Sequence, residues 1–174
     1  VVYGMTYEPF SHPKVFEVYR TIIDDVVETT GTEQTWYVNQ SLSVLDCLRT
    51  TRLAYGQFWD KKLFIRYLLC GNKGTIVAAI IGFGIPPLQL LYLSSFWMKM
   101  DLDARLKEIV HECSHVSLNS KDLAYEWETK YKTLSVDEHT VNADSIAFRY
   151  MEERSKARLG GHLRVESRKS SLRD

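Results

Sequence analysis

Apolar residues recur at helical spacing from the first part of the chain onward. After Ser11 and Pro13, the residues Val15, Val18, Tyr19, Ile22 and Val26 share one face of a helix that ends near Gly31. Further helices are predicted over residues 41–53 and 58–69, and Cys70-Gly71-Asn72-Lys73-Gly74 reads as a turn. Residues 76–81 and 88–93, rich in branched and large apolar side chains, then read as strands. Asp101 or Asp103 starts the next helix, whose stripe of Leu102, Leu106, Ile109, Val110 and Cys113 continues through His115. The polar stretch 117–133 reads as irregular. Ser135 followed by Glu138 is a capping-box signature. It opens a helix that turns Val141, Ile146, Ala147, Tyr150 and Met151 inward until Gly160-Gly161 stop it. These elements describe a helix-dominated α+β domain over residues 1–161, with no internal repeat. A polar, basic tail follows at 162–174, expected to be solvated and flexible.

Composition narrows the function classes. A chain of 174 residues can bury most of its apolar surface in one core. Its 22 acidic and 22 basic residues cancel, so no global field favours nucleic acid or an anionic membrane. Residues 75–98 are nearly free of charge. However, Gly82, Gly84 and Pro86-Pro87 cut them into pieces of about ten residues, against the roughly 20 of a spanning helix. Two buried strands joined by a Gly/Pro turn fit better. The three cysteines, Cys47, Cys70 and Cys113, form no CxxC pair, which excludes a zinc-finger pattern and a disulfide framework. Reduced, buried thiols are expected, with Cys47–Cys70 the one bridge to consider. The opening Val1-Val2-Tyr3-Gly4 lacks an initiator Met and the regions of a signal peptide, and reads as a domain excised from a longer chain.

The chemistry concentrates in His111-Glu112-Cys113-Ser114-His115, an H-E-x-x-H sequence inside a predicted helix. Positions i and i+4 lie one turn apart on one face, so both imidazoles can reach a single tetrahedral zinc. Zinc makes a water acidic, and the Glu112 carboxylate is placed to take its proton as general base and pass it to a leaving amine. The plain alternative is a solvated helix face carrying these residues by chance. Against it, Ile109, Val110 and Val116 mark the helix as half-buried, where two histidines need partners. A third ligand could come from Asp122, Glu138, His139 or Asp144. Asp122 lies seven residues beyond His115, whereas Glu138 and His139 open the following helix. Asp137 or Asp144 could hold the outer nitrogen of a ligand histidine. Cys113 faces the apolar stripe and reads as core. Residues 88–93 are either an edge strand that receives an extended peptide or an interior strand. Trp36, Tyr37, Trp59, Trp97 and Trp127 read as core or rim aromatics, Trp127 lying next to the site. His12 and His162 are expected to be solvated near the chain ends.

Three blocks together resemble the aspzincin metallopeptidases, the deuterolysin and lysine-specific metallo-endopeptidase family. They are His111-Glu112-x-x-His115, Asp122-x-x-Tyr125 and Asn142-Ala143-Asp144-Ser145. The segment from Leu91 to Trp97 is similar to the strand-plus-aromatic segment before that family's zinc helix, and the likeness covers about residues 70–150. The resemblance implies a zincin-like fold with a small sheet beside the H-E-x-x-H helix, and a zinc endopeptidase acting on peptide or protein. It implies one catalytic Zn2+ with Asp122 as third ligand, and Tyr125 assisting the oxyanion. It places Asn142 and Asp144 in the pocket or behind the ligands. Asp144 could attract a basic side chain, as in lysine-selective members, although Ala147 supplies no second acid. The spacer 117–121 is shorter than the family's and lacks glycine, Glu126 stands where the family has glycine, and Ser94 stands where secreted fungal members carry a cysteine. By analogy, an effector or toxin domain of a larger secreted protein, with an inhibitor or immunity partner, is compatible with these departures. Two other readings stay open. One is a zincin whose third ligand is Glu138 or His139, acting on cell-wall peptide. The other is a non-catalytic binding domain with a remnant H-E-x-x-H helix.

Overall fold

The computed structural model describes residues 5–6, 12–29, 35–56, 61, 76–81 and 89–171, with the backbone alone at 5–6, 81 and 161–171. The fold is α+β, helix-dominated with a small sheet. Helix α1 (Pro13–Thr29) starts on proline, whose missing N–H falls where no helical partner exists. Its inward stripe is Val15, Val18 and Ile22, and it ends on the buried Asp25 and Thr29. Asp25 is matched from afar: it accepts from the Tyr37 hydroxyl at 3.1 Å and from Arg154 Nε at 2.5 Å. Arg154 also reaches Asp103 at 2.7 Å, so one buried guanidinium ties three helices together.

Helix α2 (Thr35–Thr50) turns Tyr37, Ser41, Val44, Cys47 and Leu48 inward. The helix expected over 41–53 is therefore both longer at its start and shorter at its end. Arg52–Tyr55 form strand β2 instead, with Leu53 and Ala54 both fully buried. A four-residue strand covered on both faces shows no alternation, so its local pattern cannot be told from the end of a helix. Strand β1 (Met5–Thr6) pairs antiparallel with β2, β2 pairs parallel with β4 (Leu90–Leu93), and β4 pairs antiparallel with β3 (Ala78–Ile81). The order is β1-β2-β4-β3, which places β4 inside the sheet. The expected strands 76–81 and 88–93 are present in shorter form, but the edge-strand reading of 88–93 is overturned. β3 holds the outer position among the described residues and packs on the next helix.

That helix, α3 (Leu102–Ser117), is capped by Asp101, whose carboxylate accepts from the Ala104 N–H at 2.8 Å. It packs against α1, α2, β3 and the last helix, burying Leu106, Ile109, Val110 and Cys113. The free thiols Cys47 and Cys113 sit in this core, while Cys70 lies outside the described residues. The predicted helix 58–69 (Lys61 aside), the turn 70–74, the Gly/Pro turn, Trp59 and the His162 side chain also lie outside them. Among the described residues no helix is long and apolar enough to cross a membrane. His12 is not solvated as expected; it is half-buried and packs edge-on against Tyr55 at 4.5 Å.

The capping box at Ser135 and Glu138 is present and opens α4 (Val136–Val141). The helix expected to run on from there breaks at Asn142, whose backbone is extended, and α5 (Ala143–Ser171) starts anew. Asn142 pairs in parallel with Lys121, through Lys121 N–H to the Val141 carbonyl (2.8 Å) and Ala143 N–H to the Lys121 carbonyl (3.0 Å). The expected stop at Gly160-Gly161 does not occur; the backbone stays helical to Ser171. Glycine costs a helix only about 1 kcal/mol per residue, which a long helix absorbs.

Candidate metal centre

The C-terminal half of α3 and the loop that follows it build the site. α3 closes after Ser117, where Asn119 takes the left-handed conformation (φ 52°) that asparagine tolerates. That residue supplies the turn for which a glycine would otherwise be needed, and it explains how so short a spacer returns beneath the helix. Ser120 N–H then bonds back to the Ser114 carbonyl at 3.3 Å, and Asp122 comes to lie against the two histidines.

Asp122 Oδ1 is 3.0 Å from His111 Nε2 and 3.3 Å from His115 Nε2. One ligand atom from each of the three residues lies within 4.8 Å of the others, a spacing that one metal ion can bridge. The outer nitrogens face elsewhere. His115 Nδ1 donates to the Ser120 carbonyl at 2.9 Å, and a carbonyl can only accept, which assigns the proton to Nδ1 and leaves Nε2 for a metal. His111 Nδ1 lies 3.5 Å from Asp144 Oδ1, so Asp144 rather than Asp137 takes up the outer nitrogen. Two histidines and a carboxylate, with the histidines held from behind, are a donor set that could hold one metal ion. The residues fit the metal that the motif implies.

Glu112 is buried beside this group, with Oε1 4.0 Å from His111 Nε2. Its Oε2 accepts from the Ile80 N–H at 2.8 Å, which joins the motif to strand β3. Burial pushes the Glu112 carboxyl above the usual range, against the pull of His111, His115 and that N–H. Burial also raises Glu108, half-buried one turn earlier on the same face of α3. Asp144 is buried too, yet its bonds from His111 and from the Glu126 N–H (2.6 Å) keep it below the ordinary carboxylate value. Asp122 is held well below that value by its hydrogen bonds from His111 and then His115.

Asn142 is fully buried and carries the loop. Its Oδ1 accepts from the N–H groups of Leu123 (3.0 Å) and Ala124 (3.2 Å). Its Nδ2 donates to the Ala124 carbonyl (2.8 Å) and to Ser145 Oγ (2.9 Å). It touches no ligand atom and acts by fixing the backbone next to Asp122. Replacement by Ala strands three backbone groups, the two of Ala124 buried and that of Leu123 half-buried, with an expected loss of roughly 2–4 kcal/mol by urea denaturation and a weaker zinc affinity. An unchanged midpoint would remove Asn142 from this role.

Tyr125 is half-buried, its ring parallel to that of His111 (7° between planes) at a centroid distance of 5.9 Å. The other candidates are engaged elsewhere. Glu138 is fully exposed and closes the capping box on Ser135, and His139 Nδ1 bonds Ser145 Oγ at 2.8 Å. Neither belongs to the metal group. Sequence reasoning missed Ser120 and the Ile80 N–H: the N–H and the Ser120 carbonyl are backbone atoms that no side-chain pattern reveals, and the Ser120 hydroxyl, 3.2 Å from His115 Nδ1, reaches the ring only because the loop turns back. Glu108 was legible in principle, lying three residues before His111 on the ligand face.

The charge state sets a pH prediction. Burial opposes a charged His111, but its hydrogen bonds to Asp122 and Asp144 outweigh that and raise it from 6.5 to about 10. His115 is raised as well: burial opposes, while Asp122 and the Ser120 carbonyl prevail. In the metal-free protein the His111 contribution to stability is thus complete below about pH 6.5 and is lost as pH rises through about 10. The Asp122 contribution runs the other way, present above its ordinary value and lost as pH falls below it. A zinc ion held there would displace these imidazolium protons, so its apparent affinity should rise at least about tenfold per pH unit between pH 7 and 9. Competition with a chromophoric chelator measures this, and a flat profile would mean that the rings are already neutral.

Compared with family models, with curated proteins and with solved structures, the chain matches none.

Proposed function

We propose that this chain is a zinc-dependent endopeptidase domain of zincin type, resembling the aspzincins. The observation that carries the reading is the convergence of His111 Nε2, His115 Nε2 and Asp122 Oδ1 beside the buried Glu112. A remnant helix would have no reason to keep a third donor in place through Asn142, nor partners behind both histidines. A bound zinc would supply Lewis acidity, polarising a carbonyl and making a water acidic near neutral pH. Glu112 is the general base, its raised carboxyl suited to taking a proton and passing it to the departing amine. Tyr125, ring against ring with His111, is the oxyanion donor. Asp144 and the Ser120 carbonyl orient the histidines. The substrate is an extended peptide, and β3 is the strand beside which it would lie, since Ile80 already touches Glu112.

Metal analysis and cleavage assays test this together. One zinc per chain is expected, with cleavage of a mixed peptide library abolished by a chelator and restored by zinc. A protein that takes up no zinc, or that cleaves equally well after its removal, would not be this enzyme.

A further inference from the structure

Three rings stand in a parallel stack. His111 faces Tyr125 at 5.9 Å, and Tyr125 faces Trp127 at 4.7 Å, with 7° between planes at each step. The stack starts at a candidate ligand and ends in solvent, where Trp127 is 73% exposed. Trp97, by contrast, is wholly buried. Beyond Tyr125, Trp127 has no ring or cation partner among the described residues.

The turn that presents Trp127 is held at several points. Glu128 N–H donates to the Tyr125 carbonyl (2.9 Å), and Tyr125 N–H donates to Glu128 Oε2 (2.9 Å). Glu126 N–H bonds Asp144, and the Glu126 carboxylate is paired with Lys107 at 2.6 Å. An indole already fixed loses little freedom on binding, as in rigid aromatic binding surfaces. Both carboxylates of the turn are engaged, so what it offers is the ring face. A planar aromatic group can stack on that face. Laid end to end, the two centroid steps reach at most about three residues of an extended chain, which advances roughly 3.3 Å per residue.

We propose that Trp127 is a specificity-determining residue, a platform on which an aromatic side chain of the substrate stacks within about three residues of the cleaved bond. This rests on the peptidase reading above. The test uses zinc-loaded full chain and paired peptides that carry Phe or Ala at those positions. Wild type should cleave the Phe peptide with roughly tenfold higher kcat/KM, mostly through KM. In W127A the ratio should fall to near one, and W127F should keep most of it. Calorimetry with zinc-loaded E112Q should show the same ratio in affinity for the uncleaved peptides, lost again in E112Q/W127A. A ratio that persists in W127A overturns the platform, as does a uniform slowing of both peptides with the ratio intact. A wild type that cleaves with no preference overturns the platform alone. One that cleaves no peptide overturns the peptidase reading beneath it.

Discussion

Replacing Glu112 by Gln should lower peptide cleavage by about a thousandfold while leaving zinc content and the fold in place. General-base catalysis is worth roughly 10²–10⁴ in rate, and the amide cannot take a proton at neutral pH. The change is isosteric, and the amide oxygen can still accept from the Ile80 N–H, so strand β3 stays tied to α3. Removing a buried carboxyl that burial already disfavours should not destabilise the protein. The measurements are kcat/KM on the library-derived peptide, zinc per chain, and the urea midpoint. Activity within tenfold of wild type would assign the base to another residue, and the nearest carboxyl on that face is Glu108. A fall in activity matched by a loss of zinc would point instead to a structural role.

Replacing Asp122 by Ala should weaken zinc binding by more than about 100-fold, because it deletes one of three protein donors where even a supporting partner is worth 10–100-fold. The geometry makes a second, independent demand. Asp122 is the shared partner of both imidazoles, so its removal should return His111 and His115 toward ordinary values and flatten the pH dependence of zinc affinity. Glu138→Ala and His139→Ala should each leave the affinity within about twofold, since neither side chain reaches the ligand group. An Asp122→Ala protein with wild-type affinity would reject this ligand. A loss in Glu138→Ala or His139→Ala would move the third donor to α4.

Much of the candidate site was legible because its signals are local. The i, i+4 spacing of His111 and His115 depends only on helix pitch. The apolar stripe of α3 then fixes which face is buried, and with it the inward position of Cys113. The Ser135 capping box is likewise written within four residues. What failed had causes at a distance. β2 hid because its partner strand lies more than thirty residues later, and both its faces are covered. The break at Asn142 carries neither the glycine nor the proline that most clearly stops a helix. It exists because Lys121 pairs with that backbone and the Asn142 side chain is spent on residues 123 and 124.

Periodicity alone was enough for α1 and α3, and the pair of histidines with Glu112 between them and the balanced charge can be read directly from the residues. These follow from periodicity and composition, which need no knowledge of what touches what. It took tertiary contacts to put β4 in the interior and β3 beside the site, to set Asp144 rather than Asp137 behind His111, and to bring the Asp122 carboxylate against both rings. Each of these is a meeting of residues from different elements. Asn119 and Asn142 bring about the last of these by turning and clamping the loop that carries Asp122, and no spacing along the chain encodes that contact.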